Sequence, residues 1–161
     1  MKQRVVSLSD FGPAENMSLI EVDIPNPASG QIVVKNNAIG LNYLDTYFRS
    51  GLYPWPNNND IKIPGSEGVG YIHSVGPDVS DFREGDRVSY VTPVGAYAEY
   101  AVINAAHAAK INVEVEDHDV VACTLKGLTT HYLLHLTTKV TPGMTTLVHA
   151  AAGGVGQLMG Q

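Results

Sequence analysis

The sequence predicts a mainly β domain, a small barrel or sandwich, followed by the first strand and helix start of an α/β dinucleotide-binding unit. Three observations predict it. Residues 1–110 break into short alternating or β-branched runs separated by turn residues, the signature of a sheet-rich domain. After about residue 115 the apolar spacing becomes helical. Residues 145–156 then read Thr-Thr-Leu-Val-His-Ala-Ala-Ala-Gly-Gly-Val-Gly, a short apolar run entering a small-residue turn. Glycines at such a turn let backbone N–H groups approach a pyrophosphate at a helix N-terminus, where the dipole also favours an anion.

The elements follow in order. Arg4–Leu8 is strand-like and stops at Asp10-Phe11-Gly12-Pro13. Leu19–Ile24 alternates and ends at Pro25-Asn26-Pro27. Gln31–Ile39 carries the β-branched run Ile32, Val33 and Val34 and stops near Gly40. Asn42–Arg49 forms a short helix with Asn42 as a plausible N-cap. Gly68–Val75, Asp86–Val91 and Ala96–Ile103 complete the strands. Asp117 or Asp119 caps a helix through Val120, Val121 and Ala122. Thr124–Leu136 continues with a stripe at Leu125, Leu128, Tyr132, Leu133 and Leu136. Pro142-Gly143 is a turn, Thr145–His149 a buried strand, and a helix opens near Gly154. The domains are therefore expected at 1–115 and 116–161.

Composition narrows the function classes. At 161 residues and 44% apolar, the chain has length and material for one core of ordinary size. Ten basic and 16 acidic residues give a net charge of −6, and no basic run occurs. A nucleic-acid or membrane-surface role thus has little electrostatic support. Cys123 is the single cysteine, so an intrachain disulfide is excluded and a reducing compartment fits. The N-terminus lacks a signal-peptide apolar core, and no apolar stretch approaches the roughly 20 residues that span a bilayer. Cytoplasmic localisation is the expectation.

The chemistry-bearing segments differ in specificity. Ala151–Gly156 fits G-x-G-x-x-G when Ala151 replaces the first glycine, a weak pattern alone that gains from the strand before it and the helix after it. A full unit needs roughly 30 residues and a second strand. The residue that selects NAD or NADP would follow that strand, so the chain reads as the front half of an enzyme. Its tail after Val148 is expected to be frayed or held by neighbours. His131 and His135 are four apart on a helix, but Tyr132 stands where a zinc protease needs glutamate, and zinc wants three or four ligands. No metal is expected there. Asn42, Asp45, Tyr47, Arg49 and Tyr53 cluster within twelve residues. Either Asp45 and Arg49 form an i,i+4 surface ion pair, or the group walls a pocket in which Tyr47 or Tyr53 donates a hydrogen bond to a substrate oxygen. Lys126 stands before Gly127 in a helix, where a lone lysine usually snorkels to solvent.

Several stretches together resemble the medium-chain dehydrogenase/reductase superfamily, and closely its zinc-independent, zeta-crystallin-like quinone oxidoreductases. They are Gly40–Tyr53, Pro64-Gly65-Ser66-Glu67-Gly68-Val69-Gly70, Gly85-Asp86-Arg87-Val88, Gly95-Ala96-Tyr97-Ala98-Glu99-Tyr100, Leu125-Lys126-Gly127-Leu128-Thr129 and His149–Gly156. They run in family order and cover nearly the whole chain. The resemblance implies a GroES-like catalytic barrel, then a Rossmann domain, with NADP(H) and a small quinone or conjugated enone in the cleft between them. It places catalytic roles on Asn42, Tyr47 and Tyr53. Cofactor contacts are implied at Asn42, Asp45, Lys126 and Thr130, and at the phosphate cradle Ala151, Gly153, Gly154, Val155 and Gly156. Zinc-dependent relatives carry cysteine at 42 and histidine at 66, where Asn42 and Ser66 stand, so no metal is implied. The intact protein would be an NADPH-dependent reductase, with homodimerisation left open and the 161-residue part inactive alone. The competing reading is a non-catalytic barrel module with a structural or binding role.

Overall fold

The structure, a computed structural model, describes residues 1–161. The chain divides into two compact units, Met1–Val121 and Ala122–Gln161. The division falls inside the helix whose start the sequence places at the domain boundary.

In the first unit, β1 (Lys2–Leu8) and β2 (Met17–Asp23) pair as an antiparallel hairpin. Strands β3 (Gln31–Gly40), β4 (Glu67–Val75), β5 (Arg87–Val91), β6 (Tyr100–Asn104) and β7 (Ala108–Lys110) form one antiparallel sheet in the order β6-β3-β4-β5-β7. Bridges from Val5 to Ala98 and from Leu8 to Lys62 tie the hairpin to the rest. Strand alternation sends Ile32, Val34, Ile72, Val88, Tyr90, Ala101 and Ile103 into one apolar core. Helix α1 (Tyr43–Ser50) crosses between β3 and β4 in the chain and ends at Gly51, whose left-handed φ of 78° suits glycine.

Six strands form close to where the sequence puts them, and two details differ. The sixth begins at Tyr100 and not at Ala96, because the amides before it turn to another loop. Gly95 and Tyr97 N–H donate to Pro64 O at 3.3 and 2.9 Å, and Ala96 N–H donates to Gly65 O at 3.1 Å. Strand β7 has no counterpart in the sequence pattern, because three residues, two of them alanine, carry no β signal.

A polar knot supports the β3–β4 irregularity between Asn36 and Ala38. Asn36 Nδ2 donates to Ala98 O (2.9 Å) and Ala96 O (3.2 Å), while its Oδ1 accepts from Tyr90 OH (2.9 Å). Burial, Glu67 and the surrounding apolar side chains make ionisation of Tyr90 unfavourable and push its phenol well above the ordinary tyrosine value.

The link from the sheet to helix α2 (Asp117–His131) is clamped by Arg87 on β5. Its Nε donates to Asp117 Oδ1 at 2.9 Å, its Nη1 to Val113 O at 3.2 Å, and its Nη2 to Val115 O. Asn37 Nδ2 adds a bond to Asp117 Oδ2 at 2.8 Å. Burial works against the Asp117 charge, but Asn37 and Arg87 outweigh it and hold the carboxyl below its usual range. A lowered folded pKa means this contribution is complete above the ordinary aspartate value of about 4 and is lost as pH falls through the lower folded value. Arg87→Ala is expected to cost about 1–2 kcal/mol near neutral pH, after discounting for partial exposure. The gap from wild type should narrow in acid, measured by urea unfolding across pH.

The second unit holds the rest of α2, a wider π-helical turn over Tyr132–Thr137, and α3 (Gly154–Met159). The sequence expects regular helix to Leu136. Threonine hydroxyls loosen the ladder: Thr129, Thr130 and Thr137 Oγ1 donate back to the carbonyls of Leu125, Lys126 and Leu133 at 2.8, 2.9 and 2.8 Å. Thr138 N–H then reaches Leu133 O, five residues back. Residues 145–149 do not form the expected strand. A strand needs a ladder partner, none pairs with this segment, and Leu147 is 84% exposed. No helix is long and apolar enough to cross a membrane.

Candidate active site

In the first unit the site residues gather where β3 gives way to α1. Asn42 and Asp45 form a capping box at the start of α1, with Asn42 N–H donating to Asp45 Oδ2 at 2.9 Å. Asp45 is only 6% exposed. It also accepts from Tyr97 OH at 2.8 Å and, through a very short bond, from Ser66 Oγ. Burial, with the adjacent Asp45 carboxylate, pushes the Tyr97 phenol far above its ordinary value, so Tyr97 stays a protonated donor. The expected Asp45–Arg49 ion pair is not formed. Asp45 turns inward, and Arg49 Nε donates instead to Gly12 O at 3.1 Å.

Asn42 is held from a second side. Its Nδ2 donates to Glu67 Oε1 at 2.7 Å. Glu67, the first residue of β4, faces Gly40 across the β3–β4 ladder and is fully buried. Asn42, Leu41, Tyr43, Thr46 and Tyr97 bound a pocket of about 380 Å³. Tyr47 and Tyr53 lie outside that pocket's wall, in a file of rings. Tyr47 meets Tyr43 edge-on at 5.5 Å between centroids and Tyr53 at 5.3 Å, and Tyr53 meets Phe48 at 5.7 Å. Such tilted and edge-to-face contacts fix ring orientation while leaving the Tyr53 side 43% exposed.

The second unit assembles the other expected residues. The turn before α3 places Ala150 at a left-handed φ of 54°, and Gly153 N–H donates to Ala150 O at 2.8 Å. The helical ladder begins with Gln157 N–H donating to Gly153 O at 2.9 Å, so the amides of Gly154, Val155 and Gly156 fall outside it. Backbone crowds the Cβ position at Gly156, and the Lys126 stem fills it at Gly154. A Cβ on Gly156 would sit 2.6 Å from Ala150 O, and one on Gly154 would sit 2.6 Å from Lys126 Cδ. Lys126 thus lays its stem along the turn and is not a simple surface lysine. Thr130 Oγ1 lies 3.5 Å from Val155 O. Gly153, Gly154 and Val155 border a cavity of about 760 Å³ whose other walls include Leu134, Met144 and Val148.

Sequence reasoning names Asn42, Asp45, Tyr47 and Tyr53 but gives no role to Glu67 or Tyr97, and treats Ser66 only as a missing zinc ligand. The structure commits Asn42 to Glu67 and Ser66 to Asp45. Both are neutral polar side chains, unlike the thiolates, imidazoles and carboxylates that bind zinc. No group of three or more histidine, cysteine or acidic residues is arranged to hold a metal ion.

The chain belongs to the family described as alcohol dehydrogenase GroES-like domain, whose model matches residues 28–113. Among curated relatives, a probable quinone oxidoreductase from Schizosaccharomyces pombe is 42% identical over 162 residues, covering 100% of this chain and 48% of the relative. Among solved structures, a quinone oxidoreductase from Pseudomonas syringae pv. tomato matches with a TM-score of 0.92 and 43% identity, over 98% of this chain and 48% of that one. The quinone oxidoreductase of Escherichia coli, solved in complex with NADPH, matches with a TM-score of 0.87 and 36% identity, over 97% and 48%. The chain thus spans about half the length of the relatives it matches.

Proposed function

We propose that this chain contributes the catalytic barrel and the opening of the cofactor domain to a zinc-independent, NADPH-dependent reductase of quinones or conjugated enones. The observation that carries the reading is Asn42. Its side chain borders a pocket and is bonded to a buried carboxylate, in a chain similar over its whole length to quinone oxidoreductases. The glycine turn fits a dinucleotide pyrophosphate. Three amides lie outside the helical ladder, and glycine at 154 and 156 lets the turn pack closely on Lys126 and on the Ala150–Ala151 backbone.

The roles then divide by chemistry. Gly153, Gly154, Val155 and Gly156, with Ala151 at the first position, receive the pyrophosphate through backbone N–H groups, and Lys126 adds a cation beside it. Thr130, whose hydroxyl lies between the carbonyls of Lys126 and Val155, lies beside the turn at the cofactor. Asn42 aligns the nicotinamide and the acceptor, while Tyr47 or Tyr53 donates a hydrogen bond to the acceptor oxygen as negative charge develops there. Asp45 acts indirectly by fixing Asn42, Ser66 and Tyr97. When bound, NADPH supplies the hydride; the protein's side chains and amides supply alignment and hydrogen-bond donors.

The test is the whole protein with NADPH and 1,4-benzoquinone, followed by loss of reduced-nicotinamide absorbance. Quinone-dependent oxidation of NADPH without added metal is expected. No oxidation with quinones or with α,β-unsaturated ketones would turn the reading toward a non-catalytic barrel module.

A further inference from the structure

We propose that Glu67 is a positioning residue that fixes the amide of Asn42, an inference that rests on the assignment of Asn42 to the reacting end of the site. Glu67 is fully buried at the first position of β4, and its Oε1 accepts from Asn42 Nδ2 at 2.7 Å. A buried carboxylate is a costly way to fill a sheet, and a well-packed apolar residue of similar volume is often as stable or more so. Stability alone therefore does not explain it.

The backbone makes room for it. Glu67 pairs with Gly40 across the ladder, and a Cβ on Gly40 would sit 2.5 Å from Glu67 Cγ. The carboxylate is thereby laid over the point where β3 ends and the chain turns toward α1, beside Asn42. With Oε1 accepting from Nδ2, the nitrogen of the Asn42 amide faces Glu67 and its oxygen faces away. The capping box with Asp45 holds the Asn42 backbone from the other side. Two acidic side chains on different elements thus grip one residue, Asp45 at its main chain and Glu67 at its amide. The amide is oriented before any ligand arrives, which is the arrangement that lowers the cost of aligning reactants.

The experiment compares Glu67→Met and Glu67→Gln with wild type and Asn42→Ala in the whole protein. Three quantities are read: quinone-reduction kcat and KM, the thermal midpoint, and the Asn42 side-chain amide resonances with their hydrogen exchange. In Glu67→Met, kcat should fall tenfold or more with a smaller change in quinone KM. Its midpoint should fall by no more than in Asn42→Ala, and the Asn42 amide protons should shift and exchange faster. Glu67→Gln keeps an acceptor oxygen at the same reach and should restore the resonances and most of kcat.

Should Glu67→Met fail to fold, Glu67→Asp withdraws the carboxylate by one methylene and should show the same loss of kcat and of amide protection. Wild-type kcat and unchanged Asn42 resonances in Glu67→Met or Glu67→Asp would overturn the proposal. So would a Glu67→Gln variant with no recovery over Met. If Asn42→Ala keeps full activity, the assignment of Asn42 fails, and the resonances still report whether Glu67 holds it.

Discussion

Asn42→Ala in the whole protein is expected to lower quinone reduction by about 10²-fold, the scale set by losing an aligned donor or the alignment itself. The fold should survive with a measurable loss. The substitution removes the side-chain half of the α1 capping box, which typically costs about 1 kcal/mol. It also removes the 2.7 Å donor to buried Glu67, and losing a partner of a buried polar group costs about 1–3 kcal/mol. Chemical denaturation and steady-state kinetics on the same preparation separate the two effects. A loss of stability with unchanged turnover would make Asn42 purely structural. Tyr53→Phe offers the contrast: Tyr53 is partly exposed and held by ring contacts, so turnover should fall while the denaturation midpoint barely moves.

Gly65→Ala is expected to be strongly destabilising and to act directly on the site. Gly65 has φ of 95°, where a side chain is strained by roughly 1–2 kcal/mol. The added Cβ would also lie 2.7 Å from the Tyr97 backbone N and run into the Tyr97 ring. Overpacking of this kind costs about 1–3 kcal/mol more. The damage is directed at the site, because Tyr97 N–H is bonded to Pro64 O and Tyr97 OH to Asp45. Urea unfolding should therefore show a loss of about 2–5 kcal/mol. In whatever fraction folds, quinone reduction should also drop. A variant within 0.5 kcal/mol of wild type, roughly the scatter of harmless surface changes, would refute the crowding argument.

The alternating strands were legible because the first unit closes most of its ladders within itself: Val88 and Tyr90 on β5, and Ala101 and Ile103 on β6, are buried at every second position. The failures share one physical origin, which is that burial depends on partners far away in sequence. Asp45 reads locally as one half of a helix ion pair, yet its partners Ser66 and Tyr97 lie 21 and 52 residues away. Glu67 sits among small residues with no periodicity to mark it, and only the β3–β4 register brings it opposite Gly40. Residues 145–149 show the reverse case. Their apolar run reads as a buried strand, but a run takes that form only beside another strand. The glycine turn was legible because its geometry is local: Ala150 to Gln157 satisfy one another over a few residues.

The packing of Gly40 beneath Glu67 bears on how this sequence can drift. Positions 40 and 67 share one volume, so neither can change freely while the other stays. Even alanine at 40 is open only to a chain that has already shortened residue 67, and that first step releases Asn42. An intermediate on this path is disfavoured in either order: by crowding if position 40 grows first, by a loosened site if position 67 shrinks first. Among natural variants that keep asparagine at 42, glycine at 40 and glutamate at 67 should therefore be inherited as a pair and replaced as a pair.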